Sequence, residues 1–165
     1  MTNGTERLRV TDNGLTFNGD TAAANALDDY EEGTWTPALS FNADTGITYD
    51  TAGADATGGT YTKIGRQVTV HGTIYLTSKG SSTGSAKIHG LPFTSSGDDN
   101  NRGSGSVGYI HSMNLDGPIL ILEERGCNTW FYIRALNANF DGSHNLTSSS
   151  FTDTSRLFFS LTYNT

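Results

Sequence analysis

The chain is poor in cysteine, proline and charged residues. The shortage of cysteine excludes disulfides, and the shortage of positive charge argues against nucleic acid as a partner. Its single Cys127 cannot form an internal disulfide, so disulfides do not stabilise the fold. The net charge is −7, only 16% of residues are charged, and lysine and arginine form no cluster. Nucleic acid is therefore not expected as a partner, because binding phosphate requires a basic surface. No N-terminal apolar segment of the secretory type and no bilayer-length apolar run is present, so we expect no membrane insertion, and release by cell lysis.

Glycine, small polar residues and aromatic residues are plentiful instead. There are 20 glycines, and aromatic residues form 10% of the chain, which is more than disordered proteins carry. A length of 165 residues suits one β domain with a short additional segment. Many short segments with period-two hydrophobicity, separated by Gly/Ser/Asp/Asn-rich loops, predict an antiparallel sandwich or barrel. We predict an all-β fold with a jelly-roll-like β-sandwich.

Two segments, 66–78 and 156–163, show the clearest alternation of apolar and polar residues. Their apolar faces are expected to be buried between two sheets. A third segment, 118–124, is apolar on both faces and predicts a fully buried strand. The residues predicted for the core are Val68, Val70, Ile74, Leu76, Leu157, Phe159 and Leu161. The other predicted strands are Glu6–Val10, Leu15–Phe17, Thr34–Ser40, Gly59–Ile64, Ser85–His89, Ser106–Met113 and Asn128–Ala135.

The N-terminal part of the chain has a different character. Two short extended pieces, Glu6–Val10 and Leu15–Phe17, flank an Asp-Asn-Gly turn that is typical of a hairpin. A lone two-stranded hairpin is marginal in water, so we expect other copies of the chain to stabilise it. The alanine-rich segment Asp20–Tyr30 predicts one helix of about two turns. The acidic run Asp28–Glu32 is expected at the end of that helix.

The candidates for catalysis and metal binding are weak. The acids of 28–32 project in several directions, and Glu123 and Glu124 end a strand and point to opposite faces. Both sets are expected to be solvated acids at element ends rather than a glycosidase pair. The four histidines show no metal-ligand spacing, no Gly-x-Ser-x-Gly motif is present, and Cys127 is expected in a turn or at an edge. We therefore predict no enzyme, no metal site and no cofactor.

Two features suit the recognition of a sugar. The polar face of the predicted strand 128–135 carries two aromatic rings beside a guanidinium, which suits stacking on sugar rings or burial in an interface. The alternative is that a second sheet or another subunit covers this face. The loop 96–104 carries carboxylate and amide groups that can hydrogen-bond sugar hydroxyls. The candidate receptor-binding residues are Asp98, Asp99, Asn100, Asn101, Arg102, Trp130, Tyr132 and Arg134.

Three motifs occur in a fixed order: Glu-Glu-Gly-Thr-Trp-Thr-Pro at 31–37, Gly-Thr-Tyr-Thr-Lys-Ile-Gly at 59–65, and Gly-Leu-Pro-Phe at 90–93. With the closing Thr-Ser-Arg-Leu-Phe-Phe-Ser-Leu-Thr-Tyr-Asn-Thr, they resemble the C-terminal modules of tail-fibre and related receptor-binding proteins of tailed bacteriophages, marine ones in particular. The resemblance covers Ala24 to the C-terminus. The preceding segment, 6–21, resembles the last turn of a fibre stalk.

This resemblance implies a homotrimeric fibre tip in the virion. Residues 1–24 would be the end of the stalk and the connecting helix, joined to the rest of the fibre through the N-terminus, and residues 25–165 would be the head. The implied function is adsorption to a host cell-surface polysaccharide or lipopolysaccharide. A purely structural trimerising cap is one alternative. A glycan depolymerase is another, although tailspike hydrolases usually use a long parallel β-helix, for which this chain lacks the length and the period.

Overall fold

The computed structural model of the chain describes residues 6–43 and 45–165, and it consists mainly of antiparallel strands. The predicted all-β fold is confirmed. Single 3-10 turns lie at Ala23–Asn25, Asp99–Asn101 and Ser148–Ser150. The strands are β1 (Leu8–Thr11), β2 (Gly14–Phe17), β3 (Tyr30–Trp35), β4 (Ala38–Phe41), β5 (Ile47–Tyr49), β6 (Gly58–Ile64), β7 (Gln67–Lys79), β8 (Ala86–His89), β9 (Ser104–Met113), β10 (Leu120–Glu123), β11 (Trp130–Leu136), β12 (Ser143–Asn145) and β13 (Phe151–Asn164).

Eleven of these strands form one curled sheet. Its main path runs β3-β6-β7-β13-β9-β10-β11-β8-β4, with β12 paired to β11 and β5 paired to β7. The curl brings β11 over β13, where the rings of Phe131 and Phe159 lie 5.6 Å apart. It also brings Phe41 of β4 to within 5.2 Å of Phe151 of β13. The two layers expected of a sandwich are therefore two halves of the same sheet.

The core lies between these halves, and the predicted core is confirmed. All seven predicted residues are buried, with Phe159 the most accessible at 4%. The Phe159 ring packs against Trp35 at a centroid distance of 6.1 Å. In the β7–β13 register Phe159 lies opposite Gly72, where an added Cβ would come within 2.4 Å of the Phe159 ring. Glycine at position 72 therefore leaves space for the Phe159 ring.

The N-terminal hairpin is confirmed as a separate two-stranded ribbon of β1 and β2. Its register pairs Leu8 with Phe17 and Val10 with Leu15. The side chains of Leu8, Val10 and Phe17 are 55%, 77% and 52% exposed. Backbone hydrogen bonds of 2.8 and 2.9 Å between Leu15 and Leu27 join the ribbon to the head. Residues 1–5 of the predicted stalk segment lie outside the described residues.

The prediction of a two-turn helix over Asp20–Tyr30 is wrong. Only Ala23–Asn25 forms a helical turn, and the chain then runs extended into β3. A helix of two turns is marginal by itself, whereas β3 gains a full backbone ladder from Tyr30 to Trp35 along β6. The acids Glu31 and Glu32 therefore lie on a strand, where they are exposed, and not at a helix end.

Two strand predictions and two loop predictions are also corrected. The predicted strand 34–40 is divided at Thr36-Pro37 between β3 and β4, since proline has no backbone N–H for the ladder. The predicted strand 118–124 is buried on one face only, because Leu122 is buried while Ile119 is 48% exposed. Strands β5 and β12, of three residues each, lie in stretches predicted as loops.

Candidate functional site

Strand β11 places two aromatic rings side by side on the outer face of the sheet. Phe131 and Ile133 point into the core, so Trp130 and Tyr132 point outward. The two outward rings meet edge to face with their centroids 4.9 Å apart. Both residues are half-buried, which leaves part of each ring accessible. We call these two rings the aromatic platform.

Lys87 of β8 lies over the platform, and sequence reasoning missed it. The β8–β11 register pairs Lys87 with Tyr132 and His89 with Trp130. The Lys87 ammonium lies 4.2 Å from the centroid of Trp130 and 5.4 Å from that of Tyr132, distances at which a cation is attracted to a ring face. The ammonium occupies one face of the indole. The His89 ring also lies 6.2 Å from the indole, and a sugar ring that stacks on the face below Lys87 must displace the ammonium.

Glu123 of β10 forms ion pairs with three guanidinium groups beside the platform, and we call these four side chains the ion cluster. Oε2 of Glu123 lies 3.0 Å from Nη2 of Arg125 and 3.2 Å from Nη1 of Arg134, and its Oε1 lies 3.7 Å from Nη1 of Arg102. Donating a hydrogen bond to Glu123 raises the pKa of Arg125 above its ordinary value. The Arg125 guanidinium is also 5.2 Å from the ring of Tyr132. The ion cluster and the platform therefore form one surface.

Arg134 is held more firmly than a freely exposed binding residue would be. Its Nη2 donates to the backbone carbonyl of Ser143 at 2.7 Å, and its Nη1 donates to Oδ1 of Asn145 at 2.9 Å. Only 14% of its side chain is accessible. Through these hydrogen bonds and its ion pair with Glu123, Arg134 connects β12 to the ion cluster. These contacts favour a positioning role in the site over direct contact with a ligand.

The predicted loop Asp98–Arg102 is a capped 3-10 turn at the other side of the cluster. Oδ1 of Asp98 accepts hydrogen bonds from the backbone and side chain of Asn100, at 2.9 and 3.1 Å, and Oδ2 accepts one from Asn101 at 3.2 Å. Arg102 pairs with Asp99 at 2.9 Å and reaches Glu123 from the loop side. The Asp99 carboxylate is 82% exposed, so it is the acid of this loop that is most open to a ligand.

Glu124 corrects the expectation that the acids at this strand end are solvated. It is fully buried. Ser95 Oγ donates to its Oε1 at 2.5 Å, the backbone N–H of Gly103 donates to its Oε2 at 3.3 Å, and the backbone N–H of Gly126 also donates to it. Ser95 and Gly103 bracket the loop that contains the predicted residues 98–102. Through these hydrogen bonds Glu124 holds Ser95 and Gly103 at the two ends of that loop, and Gly126 in the adjoining turn.

An open groove of about 410 Å³ runs beside the ion cluster. Its walls include Arg102, Ile121, Glu123 and Ser143. The volume lies within the range of pockets that hold small ligands. The groove reaches Arg102 of the loop and Arg134 of β11, and the rings of Trp130 and Tyr132 do not line it.

Other predicted features have simpler outcomes. Cys127 lies in the turn between β10 and β11 with a left-handed φ of 52°, and it is exposed. Among residues 6–43 and 45–165, no three His, Cys, Asp or Glu side chains come together as a metal site. No helix in the same part of the chain is long and apolar enough to cross a membrane.

Comparison with known proteins finds a similarity of fold. No protein-family profile matches the chain, and no curated protein matches it. Among solved structures, the fold is similar to part of the Dettilon tailspike protein, gp208. The TM-score is 0.62 and the sequence identity 16%, over 82% of this chain and 24% of that one. The chain thus spans about a quarter of the length of that tailspike, with which it shares a fold.

Proposed function

We propose that the protein is the tip module of a bacteriophage tail fibre and binds a host cell-surface polysaccharide or lipopolysaccharide. The observation that carries the proposal is the aromatic platform, with Lys87 above it and the loop 98–102 joined to it through Glu123. Aromatic rings offer flat apolar surfaces to the C–H faces of sugars, and nearby polar groups fix the orientation. This arrangement lies on a rigid strand pair, which favours recognition.

The assignment to a phage tail draws on two further observations. The motifs of the sequence resemble those of tail-fibre tips, and the fold is shared with part of a tailspike protein. Both support a location in the virion, at the end of the tail. The finer assignment to a marine phage rests on the motifs alone.

The proposed tip is a homotrimer that continues into the rest of the fibre through its N-terminus. The exposed apolar residues Leu8, Val10 and Phe17 of the ribbon support this, because a two-stranded ribbon with an uncovered apolar face gains stability from copies of itself. Three linked sites also raise avidity when each site alone is weak. Light scattering at micromolar concentration should give the trimer mass. Deleting residues 1–24 should weaken the trimer, and a parent chain that stays monomeric would contradict this part of the proposal.

Binding without hydrolysis is part of the proposal. The two adjacent acids nearest the platform have other roles, since Glu123 is shared by three arginines and Glu124 is buried beneath three donors. Incubation with the polysaccharides that the protein binds should release no new reducing ends. Their release would favour the depolymerase alternative.

The decisive experiment is binding of the full chain to an array of bacterial capsular polysaccharides and lipopolysaccharides, followed by adsorption to the strains that make them. The double variant Trp130→Ala, Asp99→Ala should lose at least about tenfold in binding while staying a folded trimer. Tyr30→Ala, which removes an exposed ring far from the site in sequence, serves as the control.

Each other outcome has a definite reading. If the double variant binds like the parent, the receptor is read elsewhere, with the loops 42–58 and 137–150 next to be tested. If the variant trimer dissociates, Trp130 lies in a subunit interface. If the parent trimer binds no polysaccharide and no strain, the structural-cap alternative is favoured.

A further inference from the structure

We infer that the sugar recognised at the aromatic platform carries an anionic group, a carboxylate or a phosphate, that is received by Lys87 and Arg125. The inference rests on the proposed function and goes beyond it by naming the chemical class of the ligand. The juxtaposition of two cations, Lys87 and Arg125, with the two half-buried rings of β11 on the outer face of the sheet carries it.

Cations are scarce in this chain, and the site holds a disproportionate share of them. The protein has 10 lysine and arginine residues and a net charge of −7. Four of those 10 cations, Lys87, Arg102, Arg125 and Arg134, lie on the platform or in the ion cluster beside it. Around the half-buried platform rings, the outer surface of this acidic chain therefore carries more cations, Lys87, Arg125 and Arg134, than acids. Such a surface attracts anions at short range.

Four acids, Asp98, Asp99, Glu123 and Glu124, lie near the four cations, but only Glu123 lies on the surface around the platform. Glu123 is a single carboxylate shared by three guanidiniums, and the exposed Asp99 adds a partner only for Arg102. Lys87 forms no ion pair with any described residue, and its contacts there are with the platform rings. A cation–π contact leaves the ammonium's N–H donors free for an anion. Around the platform itself, Lys87, Arg125 and Arg134 face one carboxylate.

Geometry separates the cations that can receive a ligand from those that position the site. The Arg125 side chain is 42% accessible, and its guanidinium lies 5.2 Å from Tyr132, while Lys87 lies 5.4 Å from the same ring. An anionic substituent on a sugar that stacks at Tyr132 is then within reach of both. The Arg134 guanidinium is largely occupied by Ser143, Asn145 and Glu123, so it is a positioning residue.

The test uses the full chain on an array of acidic and neutral bacterial polysaccharides. Each polymer that binds is then treated in two separate ways: carbodiimide–borohydride reduction converts uronic carboxylates to alcohols, and aqueous hydrogen fluoride removes phosphate. We expect binding to acidic polymers, with the affinity falling about tenfold or more after one of the two treatments. The effective treatment shows whether the anion is a carboxylate or a phosphate.

Variants tie the effect to the named residues. Lys87→Met keeps an unbranched side chain over the rings but removes the charge, and should lower the affinity for the untreated polymer about tenfold while leaving the affinity for the neutralised polymer unchanged. Arg125→Gln should do the same, and it provides a second test if Lys87→Met disturbs the packing on Trp130. Lys79→Met, at the end of β7 and outside the site, should bind like the parent.

The inference and the proposed function fail in different ways. Binding to neutral polymers as tight as to acidic ones, or unchanged affinity after both treatments, would overturn the anionic ligand and leave the proposed glycan-binding function in place. Unchanged affinity in both cation variants would overturn the assignment to Lys87 and Arg125. Absence of binding to every polymer would overturn both.

Discussion

Replacing the buried Glu124 by alanine should destabilise the protein and loosen the loop 96–103. The carboxylate has no accessible surface and takes hydrogen bonds from Ser95, Gly103 and Gly126. Ser95 Oγ also has the Asn128 carbonyl at 3.0 Å, so the removal of the carboxylate leaves the backbone N–H groups of Gly103 and Gly126 without their acceptor. Each buried unsatisfied donor costs about 1–3 kcal/mol. The Gly103 bond is long at 3.3 Å, and the turn at Gly126 is partly open to water. For two donors the summed range is about 2–6 kcal/mol, and we therefore expect a loss near its middle, about 3–5 kcal/mol.

Urea unfolding at one protein concentration, followed by the fluorescence of the buried Trp35, measures this loss. Glu124→Gln keeps the shape but turns an N–H group toward the donors, so about 1–3 kcal/mol is expected. Exposed Glu32→Ala is the control and should change the free energy of unfolding by less than about 0.5 kcal/mol. Amide hydrogen exchange should accelerate between Ser95 and Gly103 in both Glu124 variants. A loss below about 1 kcal/mol for Glu124→Ala, with unchanged hydrogen exchange, would refute the conclusion that Glu124 holds the two ends of the loop.

The remaining predictions concern the core. Phe159→Ala should cost about 3–5 kcal/mol in the same unfolding assay, and a cost below about 1 kcal/mol would contradict the packing described here. Gly72→Ala should cost about 1–3 kcal/mol because its Cβ would meet the Phe159 ring, whereas Gly58→Ala, with no atom within 4 Å of the added Cβ, should cost less. Burial raises the pKa of Tyr163 to about 12. The neutral phenol is therefore favoured in the folded state, and its contribution to stability is present below pH 10 and lost as the pH rises from about 10 to 12. Tyr163→Phe should be less sensitive to pH over that interval in parallel urea titrations, and equal sensitivity would contradict the assignment.

Period-two hydrophobicity predicted the long strands well because burial on one face decides their register. Strand β7 follows that pattern along its length and β13 follows it from Ser155 onward, and the predicted core residues on both are buried. The segment Asp20–Tyr30 failed for the opposite reason. Alanine propensity is a weak local preference, and the β3–β6 ladder, formed with residues about 30 positions away, overrides it.

The predicted site residues do share one surface, but its organisation depends on pairings that the linear sequence does not display. Lys87 reaches the platform because β8 pairs with β11, 45 positions later at Tyr132. The strand 85–89 was predicted, yet nothing local indicated which strand would lie beside it. The burial of Glu124 likewise depends on donors at Ser95 and Gly103, which are 29 and 21 residues away.

Glu123, which ends β10, and Glu124, which follows it, connect the core to the outer surface. Because neighbouring residues of a strand point to opposite faces, Glu123 faces outward and holds three arginines, while Glu124 faces inward and holds the loop that carries Arg102. The end of β10 thus holds both the arginines of the ion cluster and the loop that carries Arg102. A site held in this way loses less conformational entropy when a ligand binds than free loops would. The Glu124 variants should therefore weaken the proposed glycan binding, although Glu124 itself is buried beneath the candidate site.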